Sequence, residues 1–305
     1  MKSLPILLLA LVAVFTFAPR AQAQISVQMQ AEKKIYVAYE PLNMIVAITN
    51  RAGRDVVLSG PSGDSGSWLS FEVTDDKGYL ISPKRAINFE PVIIPAGQTL
   101  QRKIPINRAY PMARKGEYRI KSNVYFPQLR KYFNSREQRI QVSDGREIWN
   151  QVVGVPQGRE GEGTYRRYSM MTFSNGAKKE LYLRIKQEEN SAVRATYSLG
   201  PIITVRSPEF TIDKENRLHC LHMAAPRTYA HTVIDVDGVV VNREVYREDV
   251  NRPKLAAAGV GDVVVVGGVS EKEDAASPID ADIRRLSERP KGMPRVDRTT
   301  GMPRR

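Results

Sequence analysis

The sequence predicts an all-β protein, and three features of its composition and patterning support this. Apolar and polar residues alternate over short runs, which is the burial pattern of strands. The 19 prolines and 21 glycines are spread along the chain, as the turns of a many-stranded fold require. A single cysteine allows no internal disulfide, so we expect stability to come from β-sheet cores.

The first residues predict an export signal. The chain begins MKSLPILLLALVAVFTFAPRAQAQ, in which Lys2 precedes an apolar run too short to span a membrane. Ala21 and Ala23 have the spacing that a signal peptidase recognises. We therefore expect residues 1–23 to be a signal peptide and the mature protein to be secreted or periplasmic. Loss of Lys2 and Arg20 would lower the formal charge from +13 to +11.

The pattern over residues 24–143 predicts a two-sheet sandwich. Runs that alternate with period two include ISVQMQ, LNMIVAITN, WLSFEVTDDKG and GEYRIKSNVYF. The last run places one set of apolar side chains on a single face: Tyr118, Ile120, Val124 and Phe126. About seven such strands with turn signals between them are typical of a sandwich.

Several motifs in this region carry a family resemblance. KKIYVAYEPLNMIVAITNRAGRDV contains a Tyr-x-x-x-Glu-Pro entry and an Asn-x-x-Gly turn, IPAGQTLQRKIPI opens a strand with Pro-x-Gly, and KGEYRIKSNVYF starts one with Gly-x-Tyr. Residues 24–143 thus resemble the immunoglobulin-like and macroglobulin-like domains of bacterial secreted proteins, which implies an immunoglobulin-like β-sandwich. Adhesins, proteinase inhibitors and assembly factors share that architecture, so the resemblance selects no activity.

A linker is predicted at residues 144–163, because DGREIWNQVVGVPQGREGEG is rich in glycine, proline and charge. Within it, Ile148, Trp149 and Val152 have the spacing of one helical turn. We expect that turn to pack between two domains, with Trp149 as an anchor at their junction.

A second antiparallel β domain is predicted at residues 164–269. The runs LYLRI, LHCLHM and VVVVGG recur there, and the turns in IDKENRLHCL and DVDGVVV resemble those between strands of β-propeller blades. The region holds two to three incomplete blades, which are too few to close a ring. Two interpretations stay open: an open blade-like sheet packed on the first domain, or a purely local resemblance.

Residues 270–305 predict a largely disordered basic tail, because they are polar, contain proline and repeat GMPR twice. A short helix is predicted near 278–289, where Ile279, Ile283 and Leu286 share a face. A helix this short needs a surface to bury that face, either a sheet of this protein or a partner.

The run RLHCLHM holds the only cysteine, Cys220, and two of the three histidines. If residues 224–227 form a hairpin loop, Cys220 lies opposite His231, with His222 diagonal on the same face. Thiolate and imidazole ligands suit zinc or copper. However, a register change of one residue moves His231 to the other face, and buried cysteines commonly serve as core residues. We therefore expect no cofactor and keep a metal-binding protein or metalloenzyme as an alternative.

Two further motifs are poor indicators of chemistry. GDSG at 63–66 matches the nucleophile loop of chymotrypsin-like proteases, but every histidine lies beyond residue 218. DVDG at 235–238 resembles the start of a calcium loop, but its glycine comes too early for an EF-hand. Asp-Gly between valine runs predicts a hairpin turn instead.

A basic segment is the remaining candidate site. Between Arg102 and Arg146 the chain has twelve basic and three acidic residues, for a net charge of +9. The candidate anion-binding patch within it consists of Arg130, Lys131, Tyr132, Arg136 and Arg139. Stacking rings beside cations are typical of surfaces that bind polyanions. The competing interpretation places the aromatic rings of this segment in the core and the cations in solvent.

These observations predict a non-catalytic binding or scaffold protein. For an exported protein, the partners that suit a basic surface are an anionic polysaccharide, a lipid headgroup or an acidic protein surface, and nucleic acid is a less suitable one. The alternatives are a metal site built on Cys220, His222 and His231, and a proteinase inhibitor, which the resemblance of the first domain implies.

Overall fold

The computed structural model describes residues 25–61, 67–176 and 178–271. Within these residues the chain is all-β, with mostly antiparallel sheets and no α-helix, which confirms the predicted fold class. Three predictions fall outside the described residues: the signal peptide at 1–23, the GDSG motif at 63–66 and the tail beyond residue 271 with its helix near 278–289.

The described residues of the N-terminal region form ten strands. In chain order they are β1 (Ile25–Ala31), β2 (Ile35–Val37), β3 (Asn43–Asn50), β4 (Val56–Leu58), β5 (Leu69–Thr74), β6 (Val92–Ile94), β7 (Thr99–Pro105), β8 (Gly116–Phe126), β9 (Lys131–Asn134) and β10 (Gln138–Ser143). Short 3-10 turns at Ile106–Arg108 and Pro127–Leu129 follow β7 and β8.

These strands form two main sheets around one apolar cluster. One sheet has the order β1-β3-β7, and the other has the order β2-β10-β8-β5 with β9 also paired to β8. Only β2 and β10 run parallel among these pairs. Alternate residues of β3 and β8 are buried, and the four side chains predicted to share a face of β8 all lie in the cluster. Trp68 is fully buried there, and its Nε1 donates a 2.9 Å hydrogen bond to the carbonyl of Glu90.

From residue 146 to residue 271, the described part of the C-terminal region has eleven strands. In chain order they are β11 (Arg146–Gly154), β12 (Tyr165–Ser174), β13 (Lys179–Gln187), β14 (Val193–Pro201), β15 (Glu209–Ile212), β16 (Leu218–Ala225), β17 (Thr228–Ile234), β18 (Val240–Arg247), β19 (Lys254–Ala258), β20 (Asp262–Val266) and β21 (Val269–Glu271).

Two four-stranded meanders make up most of this region. β11-β12-β13-β14 form the first sheet, and β15-β16-β17-β18 form the second, to which β21 adds an edge. Both sheets contribute to one hydrophobic cluster, with Leu183 from the first and Leu218 from the second. Of the three recurring runs, LYLRI lies in β13 and LHCLHM in β16. VVVVGG begins in β20, which forms a two-stranded sheet with β19 in the described part of the chain, so the third run belongs to a hairpin and not to a third meander.

The structure corrects the prediction for residues 144–163. Arg146–Gly154 form strand β11, which pairs with β12 along its length, and not a linker with one helical turn. Trp149 packs against Phe210 of β15 with tilted rings and 5.3 Å between ring centroids, so it lies inside the C-terminal region and not at a domain junction. The helical spacing of three apolar residues was misleading, because backbone pairing with β12 satisfies the amides of this segment.

The two regions meet around Arg184 of β13. Its Nη2 donates to the carbonyl of Ala38 (2.8 Å) and to Oδ1 of Asp144 (3.0 Å). Beside Arg184, Val37 of the N-terminal region packs against Met171 and Tyr182 of the C-terminal region. Burial of a guanidinium without hydrogen-bond partners would be costly. Here Ala38 of the N-terminal region and Asp144, between β10 and β11, supply those partners.

Candidate functional site

The hairpin of β16 and β17 places the three histidines differently from the sequence prediction. Cys220 pairs with Thr232, and His231 pairs with Leu221, so the predicted grouping of Cys220, His222 and His231 on one face is wrong. The cause is the turn, which has only two residues between paired positions 225 and 228, with a register shift between 223 and 225. Because side chains alternate along a strand, this one-residue difference moves His231 to the opposite face.

One face of the hairpin carries Cys220 and His222. Both are buried, with Sγ of Cys220 3.7 Å from Nδ1 of His222, and Cys220 belongs to the hydrophobic cluster between the two sheets. Burial raises the pKa of the thiol well above its usual range and lowers the pKa of His222 to about 4. Among the described residues, no group of three His, Cys, Asp or Glu side chains is arranged to hold a metal ion.

The other face carries His219 and His231, which form a relay with Asp213. Nε2 of His219 lies 3.1 Å from Oδ2 of Asp213, and its Nδ1 lies 3.2 Å from Nε2 of His231. The two imidazole rings are stacked, with an angle of 28° between their planes. Burial, followed by the neighbouring ring of His219, lowers the pKa of His231 to about 4.

Asp213 holds this relay from a tight turn between β15 and β16. Its Oδ1 accepts hydrogen bonds from the backbone amides of Glu215 and Arg217, and its Oδ2 accepts one from Nε of Arg217 at 2.6 Å. Burial alone would raise the pKa of Asp213, but the hydrogen bonds from Arg217 and His219 hold it below its ordinary value. Asp213 is therefore a carboxylate that orients the first imidazole.

A cavity of about 400 Å³ lies against this face. Its polar lining comes from Arg217, His219, His231, Asn242, Glu244 and Tyr246, and its apolar lining comes from valines of β17, β18 and β20. Glu244 lies directly opposite His231 in the pairing of β17 with β18. The hydroxyl of Tyr246 donates a 2.5 Å hydrogen bond to Glu244, and burial followed by this carboxylate raises the pKa of Tyr246 to about 12.

The hairpin of β19 and β20 forms one wall of the cavity and is attached at both ends. At its tip, the amide of Lys214 donates to the carbonyl of Gly261, and Nζ of Lys214 pairs with Asp262 at 2.9 Å. At its base, Glu209 of β15 accepts hydrogen bonds from Arg252 and from the amide of Leu255. The cavity is therefore bounded by elements far apart in sequence.

Sequence reasoning missed Asp213 and His219 as site residues. The signal that could have found them is the acidic turn before RLHCLHM together with the alternation of that run, which puts His219 on the face opposite Cys220. Only the true turn length shows that His231 joins His219.

Arginine side chains pair with the aspartates of the DVDG turn. Oδ1 of Asp235 accepts hydrogen bonds from the backbone amides of Asp237 and Val239, as in the hairpin turn that the sequence predicts. Nη1 of Arg159 lies 3.2 Å from carboxylates of both aspartates, and Nη1 of Arg166 lies 2.6 Å from Asp237. Guanidinium groups thus balance the charge of this turn.

The predicted anion-binding patch lies where β8 turns into β9. Arg130 has a left-handed backbone and reverses the chain after Pro127–Leu129. Tyr132 is 55% exposed and packs against Tyr125 with 5.0 Å between centroids. On the inner side, Phe126 packs edge-on against Phe133. The aromatic residues of this segment therefore divide, with the phenylalanines in the core and the tyrosines outside.

The cations of the patch also divide. Arg139 lies 3.3 Å from Glu137, whereas Arg130, Lys131 and Arg136 are exposed and form no ion pair with another described residue. Elsewhere in the basic segment, carboxylates approach Lys103, Lys115, Arg119 and Lys121. We call Arg130, Lys131, Tyr132 and Arg136 the basic hairpin.

No protein-family model matches the chain, and no curated protein matches it. Among solved structures, the sporulation control protein Spo0M from Bacillus subtilis is similar over 58% of this chain and 91% of that chain, with 9% sequence identity and a TM-score of 0.25. At this TM-score the likeness supports no functional argument. Over the described ranges, no helix combines the length and apolar character needed to cross a membrane.

Proposed function

We propose that this protein is an exported, non-catalytic binding protein whose basic hairpin binds an anionic polysaccharide of the cell envelope. The export part of the proposal rests on the signal-peptide pattern of residues 1–23. The binding part rests on the basic hairpin, whose cations form no ion pair with another described residue and lie around an exposed aromatic ring.

The observation that carries the proposal is that the exposed ring of Tyr132 packs on Tyr125 and lies beside the cation of the preceding residue, Lys131. The ring is more than half exposed, rests on Tyr125, and lies next in sequence to Lys131. Tyrosines so placed can stack against sugar rings while guanidinium and ammonium groups pair with carboxylates or sulfates. A lipid headgroup or an acidic protein surface would use the same cations, but neither needs the exposed ring of Tyr132 supported by Tyr125.

Charge pairing favours the basic hairpin over the cations of the basic segment that lie beside carboxylates, which are Lys103, Lys115, Arg119, Lys121 and Arg139. A cation already beside a carboxylate offers a weaker field to an incoming anion, and this applies to Arg139 beside Glu137. Arg130, Lys131 and Arg136 have no such competitor among the described residues. We therefore expect these three to dominate binding and Arg139 to contribute less.

The test measures binding of the purified protein to polygalacturonate, with neutral dextran as the control polymer. Affinity for polygalacturonate should fall steeply from about 0.01 M to about 1 M salt, because the screening length shrinks roughly tenfold. The triple change Arg130→Gln, Lys131→Gln and Arg136→Gln should weaken binding about tenfold or more, since three contacts at ~0.5 kcal/mol each are lost. Tyr132→Ala should weaken it roughly two- to fivefold.

A matched triple variant separates a site from a general charge effect. Lys84→Gln, Arg85→Gln and Arg206→Gln remove the same charge from exposed positions outside the basic hairpin and should leave affinity nearly unchanged. Equal losses in the two triple variants would contradict the proposal. So would binding to vesicles of anionic phospholipid without binding to polygalacturonate, which would point to a lipid partner.

Two other expectations remain proposals that rest on sequence. The helix near 278–289 would dock on a protein partner or on this chain. If deletion of residues 272–305 leaves polysaccharide binding unchanged, the role of the helix is limited to docking.

The resemblance of residues 24–143 to domains that include proteinase inhibitors suggests that the protein inhibits a protease, and assays against a panel of proteases test this. The register of β16 and β17 places His231 on the face opposite Cys220 and His222, so these three side chains do not form a shared metal site.

A further inference from the structure

The cavity beside β17, β18 and β20 has exposed valines at its edge. Its apolar lining consists of Val233, Val241, Val263, Val264 and Val265. Of these, Val241 and Val264 are 49% and 41% exposed, whereas branched apolar side chains are usually buried. Val239 and Val240, the two residues before Val241, are exposed as well. Exposed apolar side chains that cluster at a concave site are typical of a surface that binds another segment of chain.

The chain leaves the described residues in the direction of this cavity. β21 pairs antiparallel with β18 and ends with Glu271 opposite Val245. A chain that continues this course moves back along β18, toward Val241. The four residues from Val245 to Val241 correspond to about 14 Å of strand, and residues 272–277 span up to ~20 Å when extended. A segment that begins at residue 278 therefore reaches the cavity.

Residues 278–289 have the apolar face that such a site requires. Ile279, Ile283 and Leu286 share one side of the predicted helix, and the opposite side is charged or polar except for Ala281. A helix this short needs a surface to bury its apolar face. Aliphatic side chains suit a valine-lined surface, because contact between the two removes apolar area of both from water.

We propose that residues 278–289 dock as a helix on the cavity of the same chain, with Ile279, Ile283 and Leu286 against the exposed valines. The short connection favours this occupant, because it holds the segment at an effective concentration on the order of millimolar. A second copy in dilute solution is present at far lower concentration. The proposal rests on the helix expected from the sequence and is independent of polysaccharide binding at the basic hairpin.

The test introduces two cysteines, Val241→Cys and Ile283→Cys, into the purified full chain and follows disulfide formation in oxidised glutathione. Val241 is exposed, so its replacement should not disturb the core, and the native Cys220 is fully buried and stays unreactive. Because a disulfide needs its two Cα atoms within about 7 Å, the bond forms fast only if the segment is docked. Mass spectrometry of unreduced peptides locates the bond, and a non-reducing gel separates bonds within one chain from bonds between chains.

Two control pairs change one position at a time. Val241→Cys with Ala281→Cys keeps the connection and moves the second thiol to the opposite side of the helix. Val205→Cys with Ile283→Cys keeps the segment and moves the first thiol to a valine that is 86% exposed and outside the cavity lining. The bond within one chain should form at least about tenfold faster in the test pair than in either control.

A charge on the apolar face should release the segment. Leu286→Asp, added to the test pair, should slow disulfide formation to the rate of the controls, because burial of a carboxylate against valines is unfavourable. Ala281→Asp is the matched variant, since it adds the same charge to the outer side of the helix and should leave the rate nearly unchanged.

Equal rates for the pairs with Ile283→Cys and Ala281→Cys would overturn the proposal, because they would show a tethered segment without a docked face. Bonds formed mainly between chains, in a proportion that rises with protein concentration, would show docking on a second copy instead. A Leu286→Asp variant that reacts as fast as its parent would also refute the site. Polygalacturonate binding is measured on the same variants and depends on the basic hairpin alone, so the two proposals fail independently.

Discussion

The N-terminal and C-terminal regions have similar strand content but bury different chemistry. The N-terminal cluster is apolar, and among the described residues of that region Glu40 is the one buried charged side chain, paired with Lys33 at 3.0 Å. The C-terminal region buries two arginines, two aspartates and all three histidines: Arg166, Arg184, Asp213, Asp235, His219, His222 and His231.

The difference shows two uses of one fold class. In the N-terminal region the inward faces provide stability and the outward charges remain available to solvent and to partners. In the C-terminal region the strands place ionisable groups inside, where a low dielectric makes each pairing matter more. We therefore expect the two regions to respond differently to charge removal, to pH and to loss of apolar volume.

The largest expected effect is in the C-terminal region, at Arg166. Its side chain is buried and donates to the carbonyls of Val236 and Glu160 and to Asp237, each at 2.6 Å. Because Arg166→Leu removes the hydrogen bonds to both carbonyls and one of the guanidinium partners of Asp237, it should lower the free energy of unfolding by about 3–5 kcal/mol. Denaturant unfolding followed by tryptophan fluorescence measures this, since each region has one tryptophan, Trp68 and Trp149.

Arg167→Gln is the control for that change. The next residue of β12 points outward and pairs with Glu188 at 2.6 Å on the surface, so its replacement should have little effect on unfolding. A similar loss in both variants would show that β12 is sensitive to any charge change and that burial is not the cause.

A second difference concerns pH. Burial, with smaller contributions from Arg243 at His222 and from His219 at His231, lowers the pKa of each of these two histidines from 6.5 to about 4. The unfolded chain therefore binds protons below about pH 6.5 that the folded chain does not bind until about pH 4. As the pH is lowered from about 6.5 to about 4, the free energy of unfolding of the C-terminal region should therefore decrease by up to about 1.4 kcal/mol per pH unit for each histidine.

His222→Leu should remove roughly half of this pH dependence while leaving the relay of His231 intact. Denaturant midpoints at several pH values between 5 and 7 measure it, before most carboxylates titrate. If the transition reported by Trp68 shifts with pH as strongly as that reported by Trp149, the contrast between the regions fails.

A smaller effect is expected from apolar volume in the N-terminal region. Ile48 is buried in the cluster there, and Ile48→Val should cost about 0.5–1.5 kcal/mol from lost packing. The cost should be the same at pH 5 and pH 7, because no titratable group changes. A pH-dependent cost, measured by the Trp68 transition, would show that the N-terminal core is coupled to the buried histidines.

The smallest effect is expected from exposed charge on the N-terminal sheet. Arg139 is exposed beside Glu137, and Arg139→Gln should change the free energy of unfolding by less than about 0.5 kcal/mol. A loss above 1 kcal/mol in thermal or denaturant unfolding would mean that this pair supports the fold and is not simply a surface charge.

The alternation of single strands was the most predictable part of this protein. Tyr118, Ile120 and Val124 were placed on one face from their spacing, and all three are buried. The Asp237-Gly238 turn was also predictable, because Gly238 has a positive φ of 85° and few other residues adopt it easily. These features depend on residues within a few positions of one another.

Pairing between strands was less predictable. The glycine, proline and charge around Trp149 predict a linker, yet this segment pairs with β12 as an edge strand. The grouping of Cys220 with His231 failed by a single register step, since a two-residue turn replaced the expected four-residue loop.

The sequence by itself determined the all-β class, the side chains that face inward along individual strands, and the cluster of cations near Tyr132. Only the tertiary structure decided that Asp213, His219 and His231 form a relay beside a cavity and that Cys220 lies on the other face. The physical reason is that side-chain alternation is a local property of the chain. Register and cavity walls depend instead on backbone hydrogen bonds between segments, whose alternatives differ by one residue and look equally good in sequence.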